Sequence, residues 1–282
     1  MEKKKFAVLL MPYFGKWPPW FPAYLESCRW NPDFHFIFFT DCGIPDLDMP
    51  SNVKIVFMRL EDFSEISREA FPFLRRIKFA YKVCDYRPIL GKIFNSEITE
   101  YEFFGWGDID VIYGDLRGHL EPWMLKQDLI SFNKEHLSGH LTLVKTEIAE
   151  DLPFKFPNWK SLISSENYEN LDEPPPSALE GLQVCAIESY NTPLSPLKPW
   201  TNGAFIFPKK WFWYKGRLTN DLDGPRLFSH LHFMHWKGGA WPRECGNAQW
   251  ESLPEVYHLT GSDVSEGFAV TDKGFFPLGL GP

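Results

Sequence analysis

The chain has 282 residues, 44% hydrophobic and 23% charged, values of a folded globular protein, and carries a formal net charge of -8. That acidity excludes a surface built to coat nucleic acid, which needs clustered Lys and Arg against phosphate. The five scattered cysteines contain no Cys-x-x-Cys, a pattern of reduced thiols rather than of a zinc knuckle or a disulfide framework, and no apolar run approaches the ~20 residues of a membrane span. The expectation is a cytoplasmic protein with reduced thiols, attached to a membrane peripherally at most.

In chain order, Phe6-Ala-Val-Leu-Leu-Met11 reads as a buried first strand ended by Pro12, and a Trp/Pro-rich loop then leads to a short helix near Ala23 to Cys28. Phe34 to Phe39 and Val53 to Met58 read as the second and third strands, and a long helical region is expected from about Asp62 to Cys84. The run from Tyr101 to Asp115 reads as a fourth strand, with short strands at Leu129 to Phe132 and His140 to Val144. From Ser161 to Pro199 the chain is polar and Pro-rich, which predicts irregular structure. Gly203 to Phe207, Trp211 to Tyr214 and Leu231 to Trp236 read as further strands, while the Gly-rich tail from Gly261 carries no signal. This rhythm predicts an α/β fold in one domain with a central, mostly parallel sheet. No internal repeat or heptad seam is visible.

Two carboxylates, Asp108 and Asp110, interrupt the apolar fourth strand. On a regular strand they would project from one face, and burying like charges so close together calls for a cation. Hard oxygen ligands at a strand end suit Mn2+ or Mg2+ bridging two phosphates. Asp46-Leu-Asp48 and Asp221-Leu-Asp223 have the same spacing but sit beside Pro and Gly, so they read as solvated turns. Pro12-Tyr13, Thr40-Asp41 and Asp108-Ile-Asp110 all fall at the carboxyl ends of strands, where open α/β sheets bind ligands. The chain has no P-loop, no G-x-G-x-x-G after the first strand, no H-E-x-x-H and no G-x-S-x-G.

Met11-Pro-Tyr-Phe-Gly-Lys16, Phe39-Thr-Asp41, Tyr81-Lys-Val-Cys-Asp-Tyr-Arg-Pro88, Phe104-Gly-Trp-Gly-Asp-Ile-Asp-Val-Ile-Tyr-Gly-Asp-Leu116 and His232-Phe-Met-His-Trp-Lys237 resemble a family of bacterial and phage proteins of GT-A glycosyltransferase type. The resemblance spans roughly residues 6 to 240. It implies a GT-A-like, Rossmann-type fold, with a nucleotide-sugar-binding half at 1–120 and an acceptor-binding half at 121–282. It also implies that Pro12, Tyr13 and Phe14 edge a nucleobase pocket, with Asp41 near the base or ribose. Lys82, Asp85 and Arg87 would face the nucleotide from a helix, with Lys237 on the diphosphate of a nucleotide-sugar donor, expected to be a UDP-sugar. His232 would complete the metal shell with Asp108 and Asp110, and His235 competes with it because the two cannot share a face of one strand. Asp172 and Glu173 are placed as catalytic acids able to deprotonate an acceptor hydroxyl, and His140 as a second candidate for sugar or acceptor contact.

The acceptor expected by default is a surface-glycan intermediate. A hydroxymethylated base in phage DNA is the alternative, because Phe73 to Lys78 and Pro208 to Arg217 are basic with interleaved aromatics. Two readings from other classes compete: a non-catalytic glycan-binding protein with a structural metal, and a metal-dependent hydrolase.

Overall fold

The alternation along β1 (Lys5–Pro12) organises the molecule. Ala7, Leu9 and Met11 point to one face of the sheet and Val8 and Leu10 to the other, and all five are buried. A computed structural model of the chain describes residues 4–191, 200–201, 203–238, 250, 253, 255–259 and 264–278. The first face of β1 is covered by α1 (Phe21–Arg29), through Phe21, Tyr24, Leu25 and Cys28. The second is covered by α2 (Leu60–Ala70) and by a 3-10 segment at Ala80–Ile89 that runs on into α3 (Leu90–Ile93) and α4 (Asn95–Ile98).

β2 (Phe34–Thr40) pairs in parallel with β1, and β3 (Val53–Phe57) in parallel with β2. On the other side of β1 lies β4 (Tyr101–Gly107), also parallel. The chain then leaves the sheet for β5 (Val111–Tyr113) and returns through β6 (Leu129–Ser131) and β7 (Leu141–Lys145), where β7 runs antiparallel to both β4 and β6. After α5 (Trp159–Ser164), β8 (Val184–Ala186) adds in parallel to β6. The result is a seven-stranded, mostly parallel sheet in the order β3-β2-β1-β4-β7-β6-β8, the α/β class expected from the sequence and in keeping with a GT-A-like, Rossmann-type arrangement.

Beyond it, β9 (Lys210–Tyr214) and β10 (Arg217–Asn220) form an antiparallel sheet with a later hairpin, and β11 (His230–His232) pairs with β5. A one-turn helix, α6 (Met234–Lys237), follows. The hairpin is β12 (Phe268–Thr271) and β13 (Gly274–Pro277), in the tail where the sequence carried no signal. This second sheet packs a third apolar cluster around Trp211, Trp213 and Phe268, and the Trp213 indole donates to the Tyr113 carbonyl at 2.8 Å, which ties it to β5.

Four expected elements differ. The long helix stops at Ala70, because Pro72 disfavours helical geometry at Phe71; the chain resumes helical form as the 3-10 segment from Ala80. The fourth strand ends at Gly107, one residue before Asp108, where the ladder to β7 closes with Asp108 N–H donating to the His140 carbonyl at 3.2 Å. The strand expected through Trp236 ends at His232, opposite Val111, because the facing chain turns away at Asp110. Gly203 to Phe207 forms no strand; Gly203 has φ +82°, and Phe205 and Ile206 face solvent. The two comparison Asp-x-Asp pairs, at 46–48 and 221–223, lie in bends as expected.

Gly105 sits in mid-β4 between β1 and β7, where an added Cβ would lie 2.1 Å from the Thr142 carbonyl oxygen and 3.0 Å from Leu9. Because the obstacle is backbone of the central sheet, Gly105→Ala is expected to lower stability by about 3 kcal/mol, read by urea denaturation.

Candidate active site

The chain turns at Asp108 and Asp110 because β4 has run out of partners, and the turn lies at the carboxyl edge of the parallel strands. A cleft of about 520 Å³ opens there. Pro12, Tyr13 and Phe14 line it from the end of β1, Tyr81 and Arg87 from the 3-10 segment, Tyr168 and Glu173 from the loop before β8, and His232, His235 and Lys237 from the end of β11 and α6.

At its floor Asp108, Asp110 and His232 each offer one ligand atom, all within 4.8 Å of one another. His232 Nε2 lies 3.5 Å from Asp110 Oδ2 and 3.9 Å from Asp108 Oδ2. His232 Nδ1 lies 3.1 Å from Asn191 Oδ1. An amide oxygen only accepts, so Nδ1 donates to it, and Nε2 is the ring atom turned toward the two carboxylates. The ring plane is held by stacking on His140, centroids 4.3 Å apart. His140 is in turn fixed by Ser138 Oγ and by His230, Nε2 to Nε2 at 3.0 Å. Burial keeps both of these histidines neutral, lowering His140 well below its ordinary value and His230 to about 3.

Three electron-pair donors aimed at one point fit a divalent cation. Two carboxylates and one imidazole nitrogen are a donor set suited to Mn2+ or Mg2+. His235 lines the cleft but stands outside this group; the two histidines are separated as the sequence expected, though by the turn into α6 rather than by the alternation of a strand.

Two cations of the chain flank the carboxylates. Lys237 Nζ is 3.0 Å from Asp110 Oδ2. Burial disfavours the charged form of Asp110, but Lys237 and His232 outweigh it and hold the carboxyl far below the usual range. Burial likewise opposes the Lys237 charge, and Asp110 outweighs it, raising the ammonium. On the other side Arg87 divides its fork, Nη2 to Asp108 Oδ1 and Nη1 to Asp172 Oδ2, the latter at 2.6 Å.

Of the residues singled out in the sequence, the cleft brings together Pro12, Tyr13, Phe14, Arg87, Asp108, Asp110, Glu173, His232 and Lys237. Five others do not line it. Asp41 accepts the Gly15 N–H at 2.8 Å and so braces the turn that carries Tyr13 and Phe14, where Gly15 has φ +120°. Lys82 is buried, donates to Asp85 at 2.8 Å and to the carbonyls of Leu162 and Asn167. Asp85 accepts from the Glu169 and Leu171 N–H groups. Asp172 is fully buried against Arg87, with burial pushing its carboxyl up to about 7 against the pull of that Arg. His140 lies behind His232.

Sequence reasoning missed Asn191 and Tyr168. Neither carries a motif of its own; Asn191 pairs with His232 as an isolated parallel bridge, which only the tertiary fold creates. The Tyr81 and Tyr168 rings meet edge to face at 4.7 Å on the cleft wall.

A family model matches residues 9–199, more than half of the chain, under the description of a family of unknown function. The chain belongs to that family, DUF6625. The DUF6625 match takes in Asp108, Asp110, Arg87 and the Asp172-Glu173 pair, and stops before His232 and Lys237. No curated protein matches. Among solved structures, the glycosyltransferase GlyE of Streptococcus pneumoniae TIGR4 is similar over 66% of this chain and 46% of its own, at 14% identity and a TM-score of 0.36. The chain thus spans about half the length of that protein, and a likeness so distant says nothing about activity. No helix among the described residues is long and apolar enough to cross a membrane.

Lys82 and Asp85 together pin residues 162–171, which carry Tyr168 to the cleft. Asp85→Ala would leave the Lys82 ammonium buried without its carboxylate and two N–H groups without an acceptor. The expected cost is about 3–5 kcal/mol, measured by thermal or urea denaturation of the purified variant.

Proposed function

We propose that this DUF6625 protein is a metal-dependent glycosyltransferase that moves a sugar from a nucleoside diphosphate donor, preferentially a UDP-sugar, to an acceptor hydroxyl. The reading is carried by His232 Nε2 converging with Asp108 and Asp110 beside Lys237, in a cleft at the carboxyl edge of a parallel sheet. When bound there, Mn2+ or Mg2+ supplies positive charge to a diphosphate.

The residues of the chain divide the remaining work. Pro12, Tyr13 and Phe14 form the wall for the base, steadied by Asp41 beneath the Gly15 turn. Lys237, on the first turn after β11, meets the departing diphosphate as its negative charge grows. Glu173 reaches the cleft with its Oε1 fixed by the Gly139 N–H at 3.1 Å, so it is the better placed of the two acids to take the acceptor proton. As the acceptor oxygen bonds the anomeric carbon, the bond from that carbon to the diphosphate breaks and the hydroxyl proton passes to Glu173. Tyr81 and Tyr168 offer ring faces and edges to a sugar. The residues before 120 thereby supply most donor contacts, and the later half adds His232, Lys237 and the acceptor side.

A glycan acceptor is favoured over DNA. In the basic run at 73–78, Arg76 pairs with Glu65 at 3.0 Å and Lys78 with Glu166 at 2.7 Å, so a phosphate would have to compete with carboxylates for these charges. A cytoplasmic location and a surface-glycan intermediate as acceptor complete the proposal.

His232→Ala is expected to weaken Mn2+ affinity and transfer together, with excess Mn2+ restoring part of the activity because one ligand of several is lost. Lys237→Ala should instead lower turnover under saturating Mn2+, through the lost partner of the leaving diphosphate. Titration of Mn2+ against sugar transfer, by both variants and by Asp110→Asn, separates these outcomes; unchanged Mn2+-dependent turnover in Asp110→Asn sinks the metal assignment.

The base wall makes a second claim. Calorimetry at matched Mn2+ should give tighter binding for UDP than for GDP or ADP, and a higher affinity for GDP would reverse the donor proposal.

A further inference from the structure

An Arg fork ordinarily closes on one carboxylate with two parallel bonds, its favoured geometry. Arg87 does not. Its Nη2 takes Asp108 Oδ1 while Nη1 takes Asp172 Oδ2, so each carboxylate gives up one oxygen. The consequence falls on Asp108: its other oxygen, Oδ2, is left facing His232 Nε2 at 3.9 Å, on the side where Asp110 Oδ2 also lies. Asp172 has the opposite character. It is 0% exposed, does not line the cleft, and its Oδ1 has no hydrogen-bond partner among the described residues, so its contact with the site runs through Arg87.

We propose that Asp172 is a positioning residue that splits the Arg87 fork, keeping one oxygen of Asp108 free for a divalent ion and cancelling the guanidinium charge next to that ion. The inference rests on the metal reading of Asp108, Asp110 and His232. It assigns to Asp172 a role distinct from that of a base, which falls to its neighbour Glu173.

The device is fixed on both sides. Arg87 sits in the buried 3-10 segment whose Lys82 and Asp85 side chains hold residues 162–171 by hydrogen bonds to their backbone groups. Asp172 follows that stretch directly, so the loop that brings Tyr168 and Glu173 to the cleft also sets the counter-ion of Arg87. Gly139 completes the packing: a Cβ there would lie 2.8 Å from Arg87 Nη1 and 2.6 Å from Glu173 Oε1. Removing the Asp172 charge has two effects of the same sign. The freed half of the fork can close on Asp108 and compete for its second oxygen, and an uncompensated positive charge is left beside the ion.

The test is the Mn2+ affinity of the full chain by calorimetry at pH 8, above the value of about 7 to which burial pushes Asp172, for wild type, Asp172→Asn, the double variant Arg87→Met/Asp172→Asn, Glu173→Gln and Asp110→Asn. Asp172→Asn should weaken Mn2+ binding about tenfold, and the double variant, which removes the competing guanidinium, should recover most of the loss. Glu173→Gln should keep the wild-type Mn2+ affinity while losing turnover. The double variant also removes both members of a buried ion pair at once, which folded proteins tolerate far better than removing one, and melting curves check that each protein is folded.

Unchanged Mn2+ affinity in Asp172→Asn, or a double variant as weak as the single one, overturns the inference while the metal centre stands on the loss of binding in Asp110→Asn. Wild-type protein that binds no Mn2+ overturns the metal centre and this wiring with it.

Discussion

Two carboxylates held within reach of one imidazole at the end of β4 are the constraint around which the rest of the site is arranged. Like charges a few ångströms apart repel by several kcal/mol even at an effective dielectric near 20, and Asp110 is almost out of reach of water. The fold answers with cations from two distant parts of the chain, Arg87 on one side and Lys237 on the other. The turn at Asp108 to Asp110, the end of β11 and the start of α6 are therefore mutually dependent: Phe233 N–H donates to the Asp110 carbonyl at 3.1 Å, so the backbone that ends the strand also fixes the acidic turn.

A second layer of polar groups holds the first in position. His140 and His230 form a neutral pair behind His232, with Ser138 and Ser229 at its two ends. The Nε2 to Nε2 contact requires one ring to donate and the other to accept, and with both rings kept uncharged by burial their protons sit on different nitrogens. On the opposite wall, Lys82, Asp85 and Arg87 spend their charges on the loop from 162 to 173. Buried ion pairs are poor sources of net stability but strong specifiers of geometry once neither partner can be removed alone. Here what they specify is where Tyr168 and Glu173 stand relative to the acidic turn.

The aromatic richness of the chain is mostly spent on the core. Trp106, Trp211 and Trp213 are fully buried, and Tyr13, Trp17 and Phe21 form a stacked column that links the cleft edge to α1. Tyr13 thus belongs at once to the packing and to the cleft, and burial raises its phenol to about 12. A rigid ring at the end of a central strand is a low-entropy surface for a planar ligand.

The sequence alone determined the sheet and the place of the site. Apolar runs such as Phe6 to Met11 and Phe34 to Phe39, the second broken only by His35, read as strands buried on both faces, and carboxylates set at the end of such a run mark the edge where ligands bind. It could not determine what lies behind that edge. Lys82, Asp85 and Arg87 look alike as charged residues on a helical stretch, and only the packing of residues 162–173 turns two of them inward and leaves Arg87 between Asp108 and Asp172. His232 and His235 were indistinguishable by type, and period-2 alternation was the wrong rule for them because β11 loses its partner at Asp110 and the chain coils into α6. Asn191, which sets the tautomer of His232, lies 41 residues away and carries no signal at all. Strand identity is written in local apolar pattern; the protonation and aim of a ligating side chain depend on contacts between segments far apart in the chain, and those only tertiary structure decides.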